Sequence, residues 1–209
     1  MSGPRGLLVT VEGIEGVGKS TQLGPIAEHL RKAGRTVLET REPGGTALGE
    51  RIRDLVLAPA LAPMASMTEL LLMFAARAEH IDKVLAPALA AGTWVVCDRY
   101  SDASYAYQGG GRQLPMDAIV ALEDLVAPGL RPDLTLLLDA PVEVAMARAR
   151  RRHSSDRFEG EGRAFFERVR GVYLKRAVEF PRRFRLVDAG APLETVTAAI
   201  CRHLDPLLA

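Results

Sequence analysis

Only two cysteines, Cys97 and Cys201, occur in 209 residues, too few for a disulfide framework. Cys97 closes an apolar stretch and reads as a buried thiol, which suits a reducing cytosol and a cytoplasmic protein. No apolar run approaches the ~18 residues that a membrane span needs, and the N-terminus lacks the basic region and cleavage site of a signal peptide, so no membrane partner is expected. Charge almost cancels: 27 Lys and Arg against 26 Asp and Glu leave a formal +1, which removes any general electrostatic case for a nucleic-acid partner. His29, His80, His153 and His203 are scattered without metal-ligand spacing and read as surface or internally satisfied residues. Repeats and linkers are also missing. What remains is the composition of an ordinary soluble globule, long enough for one large core, and residues 1–209 are read as a single domain.

Short apolar runs alternate with amphipathic stretches. Strands are expected at residues 7–11, 36–40, 94–98, 134–139 and 184–187. Helices are expected at 19–33, 48–57, 67–91, 101–106, 116–125, 142–151, 164–179 and 193–208, with Pro87 kinking or breaking the long one near its end. This alternation predicts an α/β fold: a five-stranded parallel sheet with helices on both faces and right-handed crossovers. Ligands in such sheets bind beyond the carboxyl ends of the strands. The chemistry is therefore expected just after Val11, Thr40, Cys97 and Leu138.

The run Gly13-Ile14-Glu15-Gly16-Val17-Gly18-Lys19-Ser20, followed by Thr21, lies between the first strand and the first helix. It fits the phosphate-binding loop, whose backbone N–H groups cradle phosphate oxygens at a helix N-terminus. Lys19 can reach the terminal phosphates of ATP, and the Ser20 hydroxyl can ligate Mg²⁺. Asp98, at the end of the third strand, is placed to hold the same ion, and a helix cap is its plainer reading. Arg99 beside it carries a fork that matches a phosphate. The polar segment at about 148–162 holds five arginines within residues 148–157, between two helical stretches, and reads as a closing lid.

Five stretches stand in register: Glu12–Thr21, Thr40-Arg41-Glu42-Pro43-Gly44-Gly45-Thr46, Asp98-Arg99-Tyr100, Ala106-Tyr107-Gln108-Gly109-Gly110-Gly111-Arg112 and residues 131–139. In that order, across almost the whole chain, they resemble bacterial thymidylate kinase. The resemblance implies a phosphate-loop nucleoside monophosphate kinase fold with a helical lid, transfer of the γ-phosphoryl group of ATP to dTMP with Mg²⁺, and a homodimer packed around residues 67–91. It places Phe74 under the thymine, although a core Phe is the commoner reading from spacing alone. It places Arg77 on the base O4, Ser104 and Gln108 near the base edge, and Tyr107 against the sugar 2′ position. Glu42 and Pro43, with a cis bond before Pro43, shape the acceptor loop. Arg53 and Arg99 clamp the acceptor monophosphate, while Arg41 stays open between that set and a structural role. Glu15 faces the acceptor or the lid, and Glu12 lies under the loop.

No arginine stands between Gly13 and Lys19, whereas the lid is rich in them. The chain thus resembles the lid-arginine subtype of enterobacterial relatives, in which Arg150 and Arg152 are the candidates for the transferred phosphoryl group. Two other classes stay open from the residues: a related kinase with another acceptor, such as dUMP, dCMP or a deoxynucleoside, and a non-catalytic nucleotide-sensing module. A signalling GTPase is disfavoured because no Asn-Lys-x-Asp sequence occurs.

Overall fold

The computed structural model describes residues 5–151, 157–158 and 160–208. Five strands, β1 (Leu8–Glu12), β2 (Val37–Arg41), β3 (Trp94–Asp98), β4 (Leu134–Asp139) and β5 (Phe184–Asp188), form one sheet in the order β2-β3-β1-β4-β5. Every neighbouring pair is parallel. Their sequences are continuous apolar runs because both faces of the inner strands are covered. β1 is buried along its whole length, while the edge strand β2 is not. Alternate residues serve the two faces. Val9, Val11 and Val96 join Ile26 and Leu30 of α1 (Lys19–Lys32) in the main core. Leu8, Val95 and Cys97 pack with Leu85 and Leu89 on the other side.

The remaining helices are α2 (Ala47–Leu57), α3 (Ser66–His80), α4 (Ala86–Ala90), α5 (Ser101–Ser104), α6 (Met116–Val126), α7 (Val142–Arg150), α8 (Arg163–Glu179) and α9 (Leu193–Leu204). The expected fold class and strand positions hold. Two helix expectations need correction. The long helix is not interrupted at Pro87. It widens into a π-helical turn at Ile81–Leu85, where the Ala86 N–H reaches the Ile81 carbonyl. Pro87 follows directly, in the first turn of α4.

The second correction concerns residues 101–106. α5 passes directly into a π-helical segment, Tyr105–Gly111, so the three consecutive glycines are helical. Neighbours occupy the space that side chains would need. A Cβ on Gly109 would come within 2.6 Å of Met116 Sδ, one on Gly110 within 2.7 Å of Val172 Cγ2, and one on Gly111 within 2.5 Å of Phe165 Cε2. Glycine here is a condition for α6 and α8 to close on this segment, which carries Tyr107 and Gln108 to the site.

Candidate active site

The loop after β1 wraps the start of α1. Gly18 caps that helix without a side-chain hydrogen bond, and no acidic residue sits in the first turn, so no side chain competes with an anion for the partial positive charge of this helix end. Gly16 has φ 80°, and a Cβ there would lie 1.9 Å from the Ala145 carbonyl oxygen. The loop and α7 therefore touch backbone to backbone, with no room for a side chain between them. Lys19 is 7% exposed and donates to the Ile14 carbonyl at 2.9 Å. Burial, helped by the nearby Arg99 charge, lowers its pKa to about 8. An ammonium held this dry interacts strongly with any phosphate that enters.

Across the loop, the Ser20 hydroxyl donates to Asp98 Oδ2 at 2.9 Å. The other oxygen, Asp98 Oδ1, is buried with no hydrogen-bond partner. A carboxylate oxygen can only accept, so this atom and the Ser20 oxygen form an oxygen-lined position suited to a hard divalent cation. Ser20 and Asp98 thus fit Mg²⁺.

Arg99 directly follows and has φ 72°, an uncommon conformation for a side-chain-bearing residue. It turns the guanidinium into the cavity, where it donates to the Gly13 carbonyl at 3.0 Å, Glu15 Oε1 at 2.9 Å, and the hydroxyls of Tyr107 at 2.9 Å and Tyr173 at 3.1 Å. The Tyr107 hydroxyl donates to the second Glu15 oxygen at 2.5 Å. Glu15 is therefore tied to both Arg99 and Tyr107. Glu12 lies fully buried beneath, accepting from the Tyr100 N–H and the Tyr173 hydroxyl, each at 2.7 Å. Burial, with Asp102 adding repulsion, raises its pKa to about 7.

A second network holds Arg77. Its Nε donates to Glu42 Oε2 at 2.7 Å, Nη1 to Ser104 Oγ at 3.1 Å and Nη2 to the Tyr100 carbonyl at 3.1 Å. Glu42 also meets His80 Nδ1 at 3.0 Å, and His80 Nε2 lies 2.7 Å from Thr40 Oγ1. Since Glu42 only accepts, Nδ1 carries the proton. The Glu42–Pro43 bond is cis, as expected. Arg53 donates to the Pro43 carbonyl at 3.1 Å. Arg41 pairs with Glu50 at 2.7 Å.

A third network was not foreseen. Glu69 on α3 has no solvent exposure and accepts from Gln108 Nε2 at 2.8 Å, Arg112 Nε at 3.1 Å and Arg157 Nη2 at 2.6 Å. Arg112 also pairs with Glu161. Arg157 in addition donates to the Val56 and Leu57 carbonyls, through Nε and its backbone N–H. The chain leaving the arginine-rich segment is thereby fastened to the end of α2 and the start of α3. Gln108 Oε1 is left buried without a partner.

One cavity of about 580 Å³ joins these parts. Lys19, Ser20, Asp98, Arg41, Arg53 and Arg99 line it together with Leu57, Met73, Ala103, Tyr107 and Phe158, so charged and apolar or aromatic side chains share one cavity. Of the expected site residues, Glu15, Gly16, Gly18, Lys19, Ser20, Glu42, Pro43, Arg53, Asp98, Arg99 and Tyr107 line it. Arg77, Ser104 and Gln108 are buried behind this wall. Phe74 is a correction: it packs with Leu70, Tyr105 and Ile119 in a separate cluster, and Met73 takes the place on the cavity wall. Arg150, at the exposed end of α7, lines a smaller hollow with Glu15, Met146 and Phe166. Arg152 lies outside the described residues. Glu69, Met73 and Phe158 went unread because each looks like ordinary helix or loop sequence, and Arg157 was read only as one of the lid arginines, not as a partner of Glu69. The one available signal was a glutamate on an otherwise apolar helical face.

The profile of the thymidylate kinase family matches residues 11–200. Thymidylate kinase of Ectopseudomonas mendocina is 57% identical over 203 residues, 97% of each chain. That of Alcanivorax borkumensis is 55% identical over 204 residues, 98% of each. The crystal structure of thymidylate kinase from Ehrlichia chaffeensis superposes with a TM-score of 0.79 at 31% identity, covering 97% of this chain and 99% of that one. With the phosphate loop, the Ser20–Asp98 pair and the arginine-lined cavity in place, these matches settle the assignment: the chain belongs to the thymidylate kinase family.

Proposed function

We propose that this chain transfers the γ-phosphoryl group of ATP to dTMP, giving dTDP and ADP, with Mg²⁺ held by Ser20 and Asp98. The observation that carries this reading is a cavity of about 580 Å³ whose lining brings together the phosphate loop, Asp98, three guanidiniums and a set of apolar and aromatic side chains. The matching relatives bear the same name. An oxygen of the acceptor phosphate forms a bond to the γ-phosphorus as the bond to the β-bridging oxygen breaks. A phosphate monoester has its second pKa near ~6, so the attacking oxygen is already anionic at neutral pH and no strong general base is needed. The work of the protein is alignment and charge. Lys19 and the loop N–H groups hold the donor phosphates, and Arg53 and Arg99 hold the acceptor phosphate. Bound Mg²⁺ would neutralise charge on the donor phosphates. Arg150, and Arg152 in the same segment, supply the guanidinium that the loop lacks. Arg77, with Ser104 and Gln108, would read the base edge once dTMP parts the wall in front of them, and Tyr107 restricts the sugar to deoxyribose.

Pairing with a second copy is supported by exposed Leu48 and Leu55 on α2 and Met67 and Leu71 on the adjoining α3. No helix among the described residues is long and apolar enough to cross a membrane, and Cys97 and Cys201 are free thiols, which supports a cytoplasmic site of action. A coupled ADP-release assay tests the function. ADP should form rapidly only when dTMP is present, and far more slowly with dCMP or the ribonucleotide. ADP release indifferent to the acceptor, or none with dTMP, would overturn the reading.

A further inference from the structure

On α3, Glu69, Met73 and Arg77 follow one another at intervals of four and form a single column. Both outer members are fixed. Glu69 is held by Gln108, Arg112 and Arg157, and Arg77 by Glu42, Ser104 and the Tyr100 carbonyl. Met73 between them is therefore presented at a set place, half-buried, on the cavity wall. Ala103, Tyr107 and Phe158 line the same cavity. Phe74, the neighbouring ring, is not free to serve there. It is 2% exposed among Leu70, Tyr105 and Ile119, and the Arg77 guanidinium already lies over it, 4.6 Å from the ring centre.

We propose that Met73, not Phe74, is the apolar platform against which the acceptor base lies, so that a thioether rather than an aromatic face receives the ring. This rests on the reading of the cavity as a nucleotide acceptor site. The thioether is polarizable and unbranched, so it makes favourable contacts with a flat ring while adjusting to its substituents. Such a contact is worth roughly 2- to 10-fold in affinity, which sets the size of the effect to look for.

The protein has six methionines, few enough for methyl-¹³C-methionine spectra to resolve, and Met73→Leu identifies the Met73 signal by its loss. Adding dTMP to the unaltered protein should shift that methyl through the ring current of the base, and ATP alone should leave it in place. Met73→Gln, which keeps the length but not the apolar character, should raise KM for dTMP about 2- to 10-fold with kcat and KM for ATP unchanged. Met73→Leu, which keeps the apolar volume but loses the sulfur, should raise KM for dTMP by less than Met73→Gln does, and Phe74→Leu should lower Tm while leaving KM for dTMP within about twofold of the parent. A Met73 methyl unmoved at saturating dTMP, or Phe74→Leu raising KM as much as Met73→Gln, would overturn the platform alone. Absence of dTMP binding to the unaltered protein would overturn the functional reading and the platform together.

Discussion

Glu69→Ala tests how far one buried carboxylate organises the acceptor side. Glu69 is wholly shielded from water and takes hydrogen bonds from Gln108, Arg112 and Arg157. Its removal leaves Arg112 with Glu161 as its carboxylate partner, while the buried Arg157 side chain keeps the Val56 carbonyl. Breaking a buried ion pair from one side costs about 3–5 kcal/mol, because the remaining charge stays in a poorly solvating place. Against a typical total of about 5–15 kcal/mol this is a large fraction. For a chain of this length it corresponds to a fall in Tm of roughly 6–20 °C. Urea unfolding followed by far-ultraviolet circular dichroism measures the loss directly, with steady-state kinetics run well below the new Tm. Because Arg157 fastens the exit of the arginine-rich segment and Gln108 is proposed to serve the base edge, kcat and KM for dTMP should both worsen in the folded variant. Glu69→Gln, which keeps an acceptor for one donor, should be milder on every measure. A Glu69→Ala protein within about 1 kcal/mol of the parent, with normal kinetics, would refute the idea that the three donors depend on this residue.

Two further outcomes follow from the same geometry. Glu12 has its pKa raised from 4.5 to about 7 in the folded protein, so between those values the folded state holds a proton that the unfolded chain has released. The stability this proton provides is complete below pH 4.5 and is lost as pH rises through 7, whereas Glu12→Gln cannot titrate. The stability of the parent relative to Glu12→Gln should therefore decline between pH 4.5 and 7 and level off above, and urea midpoints giving a constant difference would refute the assignment. Arg150→Ala should lower kcat ~10-fold or more with dTMP affinity by calorimetry unchanged, the mark of an interaction made in the transition state. Near-normal kcat in that variant would remove Arg150 from the reaction.

What the sequence determined by itself was whatever is local in the chain. The five strands are continuous apolar runs, and the alternation with helices called for the parallel sheet that is found. The phosphate loop, Asp98 and Arg99 were legible because their positions at strand ends follow from short contiguous patterns. Even the absence of an arginine between Gly13 and Lys19 was readable, but the backbone contact of Gly16 with Ala145 was not. The tertiary structure alone decided which residues share a network. Glu69 and Arg157 stand 88 positions apart, and Glu42 and Arg77 stand 35 apart, so nothing in either neighbourhood announces the pair. It also decided between Met73 and Phe74. Adjacent residues on a helix point about 100° apart, and only the packing of α3 against the Tyr105–Gly111 segment and α6 fixes which of the two meets the cavity and which the core. Likewise, three glycines in a row signal a loop in sequence and become helix here, because the helices pressing on them leave no space for a Cβ.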